Sequence, residues 1–249
     1  MKTPASVFTI ALALGAIIFA PLTGAKAQDA REEGPFEIEK CQTIDKSGSY
    51  KLVRNLTFSG SSGACLMITA SGVTLDLAGF TISGHTSGFA TSTAILASGD
   101  LRGIAVQNGS LSGFQTGVNL GSATGSLVEK LRVIDITRTL PATATGIIAS
   151  GIVRSNSVLG PLGTGIPVGT GISATGMLTG NYVTGTATGM LIGRGSTVSD
   201  NTATDNRLFG FFVTCPSNVT DNTALNNSDG NLVLETARGS CNTTNNVAP

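Results

Sequence analysis

The feature that most constrains the fold is a stretch of sequence that occurs twice in succession. Residues 189–206 align with residues 210–227 at a constant offset, since 210 − 189 = 21, and the two copies share the run Asp-Asn-Thr-Ala. A third copy begins at Gly230, after 230 − 210 = 20 residues. A repeat of this length is typical of a solenoid, in which each unit buries its apolar face only against its neighbours.

The residue types within each repeat predict strands. Val, Ile and Thr occur in short runs broken by Gly, Asn, Asp and Ser, and neither the three-four spacing of an amphipathic helix nor a leucine-rich pattern is present. Asparagine also recurs once per repeat, and it suits stacked turns because it tolerates left-handed backbone and bonds to its copy one coil away. This column comprises Asn156, Asn181, Asn201, Asn222 and Asn242. The pattern predicts an all-β fold, a single-stranded right-handed parallel β-helix of about nine coils at roughly 4.8 Å per coil.

The N-terminal segment predicts export. Residues 1–27 have a positively charged start, an apolar run and a small-x-small site that ends at Ala27, which together are typical of a cleaved bacterial signal peptide. We therefore expect a secreted or periplasmic protein with no membrane span after cleavage. Residues 28–40 are interpreted as a charged lead-in or N-terminal cap, and residues 41–249 as one β-helix domain.

Composition excludes several classes of partner. The net charge is zero and charged residues are 12% of the chain, which argues against nucleic acid and against a polybasic membrane surface. The chain has no Trp and two Tyr, so it has few flat platforms for sugar rings, and we expect most of its phenylalanines to point into the core.

Four cysteines suit an oxidising compartment. Cys41 and Cys65 share a Cys-x-x-Ile pattern at 65 − 41 = 24, about one coil, which predicts a disulfide between neighbouring coils. Cys215 and Cys241 lie at different distances from the glycines that begin their coils, so they are either joined across a turn or free. The single histidine, His85, is interpreted as a surface-loop residue, and zinc is not expected.

Residues 41–84 carry a more specific pattern. They contain Cys-x-x-Ile, Gly-Ser-Tyr, Asn-Leu and then Val-Thr-Leu-Asp-Leu-x-Gly-x-Thr-Ile-x-Gly. This run resembles the opening coils of secreted bacterial proteins of the right-handed parallel β-helix superfamily, the pectate-lyase-like fold, many of which have no assigned activity. Because that superfamily includes pectate lyases and polygalacturonases, the resemblance implies a polysaccharide lyase or glycoside hydrolase as an alternative function.

The candidate residues for such chemistry lie in the repeated stretch. Hydrolysis needs two carboxylates, and lyase chemistry on uronates needs a cation, often calcium, and a base. Asp200 and Asp221 are expected one coil apart, with Arg207 as a further catalytic candidate and Asp205 as a third calcium candidate. The alternative interpretation is that these are solvated carboxylates without a function.

Family motifs weigh against an enzyme. Polygalacturonases carry Asn-Thr-Asp, Asp-Asp, Gly-His-Gly and Arg-x-Lys, whereas here Asn201-Thr202 is followed by Ala203 and the other three motifs are broken or missing. The sequence therefore favours a non-catalytic module that needs no cofactor and either binds a polysaccharide or a cell-envelope component through a flat sheet face or has a purely structural role.

Two further features remain open as sites. Residues 161–167, bounded by two prolines, are expected to form an insertion that carries specificity. Thr145, Thr170 and Thr188 form a column that could order water or ice, but their spacing in the sequence predicts no flat array.

Overall fold

The computed structural model describes residues 34–84, 91–136, 144–160 and 169–249. In these ranges the protein is an all-β solenoid of parallel stacked strands with about eight turns, which confirms the predicted fold class. They contain no helix that is able to cross a membrane. The predicted signal peptide, His85 and the insertion at 161–167 lie outside the described residues.

The strands are short, and most turns contain three of them. The first are β1 (Phe36–Ile38), β2 (Gln42–Ile44), β3 (Gly48–Leu52), β4 (Leu56–Thr57), β5 (Ser62–Ile68), β6 (Val73–Asp76), β7 (Thr81–Ser83) and β8 (Thr91–Ala97). Next come β9 (Leu101–Arg102), β10 (Ala105–Ser112), β11 (Thr116–Leu120), β12 (Ala123–Thr124), β13 (Ser126–Ile134), β14 (Thr145–Arg154), β15 (Ser157–Leu159) and β16 (Thr170–Thr179). The last are β17 (Tyr182–Thr184), β18 (Thr188–Ile192), β19 (Thr197–Ser199), β20 (Thr202–Thr204), β21 (Phe209–Thr214), β22 (Asn218–Thr220), β23 (Thr223–Leu225), β24 (Gly230–Glu235) and β25 (Asn242–Thr244).

Apart from β9 and β12, which pair with each other as a separate two-stranded sheet, these strands form three stacks, named here the first, second and third sheets. The first sheet contains β2, β5, β8, β11, the first halves of β14 and β16, β18, β21 and β24. The second contains β1, β3, β6, the first halves of β10 and β13, the second halves of β14 and β16, β19, β22 and β25. The third contains β4, β7, the second halves of β10 and β13, β15, β17, β20 and β23. Strand β1 lies within the segment interpreted as a lead-in and pairs with β3.

The core lies between the three sheets and is filled by alternate side chains. Successive residues of a strand point to opposite faces, so the apolar residue of each pair is buried and the polar one is not. One inward column of the first sheet illustrates this packing, because every member lies in register with the next. It comprises Leu66, Ile95, Val118, Ile147, Ile172, Met190 and Phe211, all fully or almost fully buried.

An asparagine ladder joins the turns at the corner between the second and third sheets. In each step the Oδ1 atom of one asparagine accepts hydrogen bonds from the backbone N–H and the Nδ2 atom of the asparagine one turn earlier; for Asn181 and Asn201 the distances are 3.0 and 2.9 Å. The Nδ2 atom also donates to a backbone carbonyl of the preceding turn, as Asn201 does to Leu178 at 2.9 Å. These bonds satisfy buried amides that would otherwise lack partners.

The ladder confirms four of the five predicted members and corrects the last. Its members are Asn156, Asn181, Asn201, Asn222 and Asn246. The prediction was wrong for Asn242, which is exposed and pairs in register with Asn218 in the second sheet. The last turn is longer than its predecessor: its connection between the first and second sheets runs over 236–241, where the previous turn uses only 215–217.

A second ladder, which the sequence analysis did not identify, follows the corner between the third and first sheets. Asn206 Oδ1 accepts from the backbone N–H and hydroxyl of Thr186 at 3.0 and 2.8 Å, and Asn227 Oδ1 accepts from the N–H and Nδ2 of Asn206 at 3.0 and 2.9 Å. Asn231 closes the series by accepting from Asn227. The match between Asn206 and Asn227 in the repeat was the signal for this ladder.

Disulfides join neighbouring turns near both ends of the described solenoid. Cys41 and Cys65 are bonded, with Cα atoms 4.5 Å apart, which confirms the predicted bridge. Cys215 and Cys241 are also bonded, with Cα atoms 5.0 Å apart. Of the two alternatives that the sequence left open, they are therefore joined and not free. Both of these cysteines lie in the connection from the first to the second sheet, and the longer last connection explains their different offsets.

We expect Asn201→Ala to lower the free energy of unfolding by about 2–4 kcal/mol, because it leaves buried groups on Asn181 and Leu178 without partners. Asn218→Ala is the matched control: this asparagine is exposed on the second sheet, so its loss is expected to cost less than about 0.5 kcal/mol. Denaturant unfolding of the two variants measures the difference. Equal stabilities would show that the ladder contributes nothing beyond an ordinary surface asparagine.

Replacing both Cys215 and Cys241 by Ser is expected to cost about 2–4 kcal/mol, since the bridge closes a loop with a sequence separation of 26 residues. Because a solenoid turn contacts only its neighbours, the loss is expected to remain local. Hydrogen exchange is expected to show reduced protection in β24 and in strands adjoining it, while β5 and β8 keep theirs. Uniform loss of protection along the chain would contradict this expectation.

Candidate functional site

The two carboxylates proposed from the sequence lie at the corner between the second and third sheets. Asp200 follows β19 and Asp221 follows β22, and the pairing of Ser199 with Thr220 places them at equivalent positions of neighbouring turns. Both are exposed, and both have φ 57°, in the left-handed region. Each immediately precedes an asparagine of the ladder.

The backbone conformation explains why aspartate recurs there. Left-handed backbone is costly for most residues, whereas Asp and Asn adopt it more readily. Equivalent positions in other turns carry Ser155, with φ 55°, and Asn245, with φ 54°. The turn therefore requires a residue with left-handed backbone at this position, and it does not require a negative charge.

The remaining two candidates lie at a different corner. Asp205 precedes Asn206 of the second ladder, has φ 54°, and accepts a hydrogen bond from Asn226 Nδ2 at 3.2 Å. Arg207 is exposed beside it. Strand β20 thus separates Asp205 from Asp200. In the described ranges, no group of at least three His, Cys, Asp or Glu residues is placed to hold a metal ion. The calcium site and the catalytic group stay predictions.

The outer face of the first sheet has a different character, because it lacks charge. Its strands from β2 to β21, with the halves of β14 and β16 that belong to it, contain no Asp, Glu, Lys or Arg. The second sheet, by contrast, carries an outward row with Glu37, Lys51, Asp76, Glu129 and Arg154. As far as the described strands show, one long face of the solenoid is therefore neutral from β2 to β21.

Threonines form a row along this neutral face. Thr93, Thr116, Thr145, Thr170 and Thr188 lie in register on five successive strands. The expectation that these threonines are too irregularly spaced for an array was wrong. Turn lengths differ, but the extra residues are accommodated in the connections between strands, and the strands themselves stay aligned.

A second outward row on the same face is mostly apolar. It runs through Met67, Leu96, Asn119, Ile148, Ser173, Leu191, Phe212 and Val233. Phe209 continues the threonine row, and its ring lies 5.6 Å from that of Phe212, so two half-buried aromatic rings face outward together. The expectation that most phenylalanines point inward holds for Phe114 and Phe211, which are buried, and not for this pair.

A groove of about 470 Å³ opens at the corner between the first and second sheets. Here β14 and β16 turn the corner as uninterrupted strands, while the flanking turns have connections at 121–125 and 193–196. The lining of the groove extends from Gly121 through residues of β14, β16 and β18 to Thr214 on β21, so the groove follows the ends of the first-sheet strands. We name it the corner groove.

The lining of the corner groove combines hydroxyls with aliphatic groups. Ser150, Ser173 and Thr175 supply the hydroxyls, and Ile148 and Leu191 supply apolar surface. Among the described residues, no ionisable side chain lines it. This combination suits a ligand that has both polar edges and hydrocarbon faces and carries no charge.

In the part of the chain that the structure describes, one shifted pKa occurs, away from the corner groove. Burial raises the pKa of the Tyr50 phenol, and the negative charge of Asp45 raises it further. The Tyr50 hydroxyl donates a hydrogen bond to the Lys46 carbonyl at 2.9 Å. Tyr50 lies on β3 in the second sheet, so it acts there as a packing residue.

The turn role of Asp221 gives a direct prediction. Asp221→Asn is expected to change the free energy of unfolding by less than about 0.5 kcal/mol, because asparagine tolerates the same backbone. Asp221→Val is expected to lower it by about 1–2 kcal/mol, since a β-branched residue is strained at positive φ. Thermal or denaturant unfolding of both variants measures this. A large loss for Asp221→Asn would mean that the charge itself matters.

Comparison of the chain with protein-family models, curated proteins and solved structures finds no match.

Proposed function

We propose that this chain is an exported, non-catalytic module that binds a neutral glycan, free or as part of a cell-envelope component, through the outer face of the first sheet. The observation that carries the proposal is the absence of charge along that face from β2 to β21. The charged side chains of the neighbouring second sheet make this neutrality a property of one face and not of the whole surface.

The chemistry of the face matches that of sugars. A sugar ring presents hydroxyls at its edge and C–H groups on its faces. The threonine row offers hydrogen-bonding hydroxyls, while Leu191 and Phe212 in the adjacent row offer hydrocarbon and aromatic surface. The neutral part of the face extends over eight strands, or about 34 Å for the seven steps between them, which is large enough to receive a polymer.

The same face argues for a neutral polymer over an acidic one. Carboxylate groups of a polyuronate are bound most strongly by Arg or Lys through charge-assisted hydrogen bonds. The first-sheet strands from β2 to β21 provide no such cation. A lyase or hydrolase acting on an acidic polysaccharide stays the alternative, with Asp200, Asp221 and Arg207 as its residues.

Export and family membership belong to this proposal. Two disulfides suit an oxidising location outside the cytoplasm. Residues 1–27 carry the signal-peptide pattern, and residues 41–84, which carry the resemblance to the pectate-lyase-like superfamily, form β2 to β7 of a parallel solenoid. We infer a secreted or periplasmic member of that superfamily.

The proposal predicts retention of the mature protein on insoluble neutral polysaccharides and none on polyuronates. Phe212→Ala is expected to weaken binding by about tenfold, because it removes an outward aromatic surface. Tyr182→Ala is the matched control: this aromatic residue is exposed on the third sheet and is expected to leave binding unchanged. Binding isotherms and circular dichroism of each variant separate lost affinity from lost fold.

Two results would overturn the proposal. Calcium-dependent release of unsaturated products from a polyuronate, lost in Asp221→Asn, would establish the enzyme instead. Absence of binding to a broad panel of neutral polysaccharides would reject the glycan partner.

A further inference from the structure

We propose that the corner groove binds one stretch of the glycan parallel to the solenoid axis, through the hydroxyls of Ser150, Ser173, Thr175 and Thr214. This assignment rests on the proposed function, because the groove is one part of the same neutral face. It gives the site a defined length and assigns its hydrogen bonds to side chains outside the threonine row.

The direction of the groove follows from the register of the residues that line it. Five successive turns each contribute one outward position, directly after the last inward residue of the first-sheet strand. These positions, named here the groove row, are Gly121, Ser150, Thr175, Gly193 and Thr214. The four steps between five turns amount to about 19 Å along the axis. In the next turn the position beside Thr214 carries Glu235, so the uncharged stretch ends there.

Buried serines at the same corner satisfy backbone carbonyls of the groove row. Ser126 Oγ donates a hydrogen bond to the Ser150 carbonyl at 2.8 Å, and Ser217 Oγ donates to the Thr214 carbonyl at 2.9 Å. Both of these serines are buried. The corner therefore has hydroxyls that are committed to holding the backbone.

The side-chain hydroxyls that line the groove are not used in this way. Within the described ranges, no hydrogen bond to another residue is made by the hydroxyls of Ser150, Ser173, Thr175 and Thr214. All four side chains are half-buried or exposed. Each hydroxyl can donate one hydrogen bond and accept others, so a sugar hydroxyl is able to replace the water that it would otherwise bind.

Apolar side chains line the groove on the side towards the middle of the first sheet. Ile148 and Leu191, with Ser173 between them, lie in register two residues before the groove row, and Leu191 is 40% exposed. Apolar and hydroxyl groups thus form two rows, both parallel to the axis. A chain of sugar rings in this direction can place C–H faces on one row and hydroxyls on the other, ring after ring.

Gly193 leaves room for the Thr175 hydroxyl. A Cβ atom at position 193 would collide with Thr175 Oγ1, which occupies that space. The backbone of Gly193 is not left-handed, so its conformation does not require glycine. Gly193→Ala is therefore expected to displace the Thr175 hydroxyl without straining its own backbone.

The length of the site is tested with the mature protein and a graded size series of cello-, xylo- and malto-oligosaccharides. Affinity is expected to rise with chain length until the extended oligosaccharide reaches about 19 Å and then to stay constant, because longer chains leave the groove. A rise that continues to about 34 Å, the length of the neutral part of the face, would contradict a site confined to the groove.

The hydroxyls are tested with variants that keep the shape of the strands. The double variant Ser150→Ala with Thr175→Val is expected to bind the longest oligosaccharides about tenfold more weakly, because two hydrogen bonds to the ligand are lost. Gly193→Ala is expected to weaken the same binding. Thr197→Val is the matched control, since it removes an exposed hydroxyl from the second sheet, and it is expected to leave affinity unchanged. Circular dichroism of each variant checks that the fold is kept.

The outcomes separate the groove site from the proposed function. If the double variant binds every oligosaccharide as the parent does while Phe212→Ala loses affinity, the groove site is wrong and glycan binding by the first sheet stands. If the parent protein binds no neutral oligosaccharide or polysaccharide, both proposals fail. Weaker binding by the double variant and by Gly193→Ala, with Thr197→Val unchanged, supports the groove site.

Discussion

The hydrogen bonds that pass from one buried asparagine to the next are the interaction on which the turns from Asn156 to Asn246 depend. A narrow solenoid must turn its backbone at three corners, and each corner leaves peptide groups that cannot join a strand ladder. At the corner after the second sheet, Asn181 and Asn201 satisfy these groups and also fix the axial position of each turn. The left-handed residue before each asparagine, such as Asp200, follows from the same turn geometry.

Because the pairing of the strands fixes the register, the length of a turn is free to vary. Successive threonines of the first-sheet row are separated by 116 − 93 = 23, 145 − 116 = 29, 170 − 145 = 25 and 188 − 170 = 18 residues, yet they remain side by side. Stability thus resides in the inward columns and corners. Neither the inward columns nor the corner hydrogen bonds require the outer face of the first sheet to be uncharged. We therefore assign this face to binding.

Much of the fold could be predicted from the sequence, and the errors have one physical origin. The period of Asn201 and Asn222 and the alternation in β6 were sufficient for a parallel solenoid, because both reflect local rules of strands and turns. Asn246, the Cys215–Cys241 bridge and the threonine row were missed or left open because each depends on register across connections of unequal length. The corner groove arises from such inequality between neighbouring turns, so it has no signature in any single repeat.

The two disulfides change how such a molecule can come apart. A stack of turns held only by nearest-neighbour contacts would peel from either end, one turn at a time, as a zipper opens. Cys41–Cys65 holds the first strand of the first sheet to the next turn, and Cys215–Cys241 holds the last two turns together. β1 and β25 lie outside the two bridges and are able to fray, but peeling that passes a bridge has to release two turns together. Reduction of the two bridges would therefore let the bridged turns open one at a time.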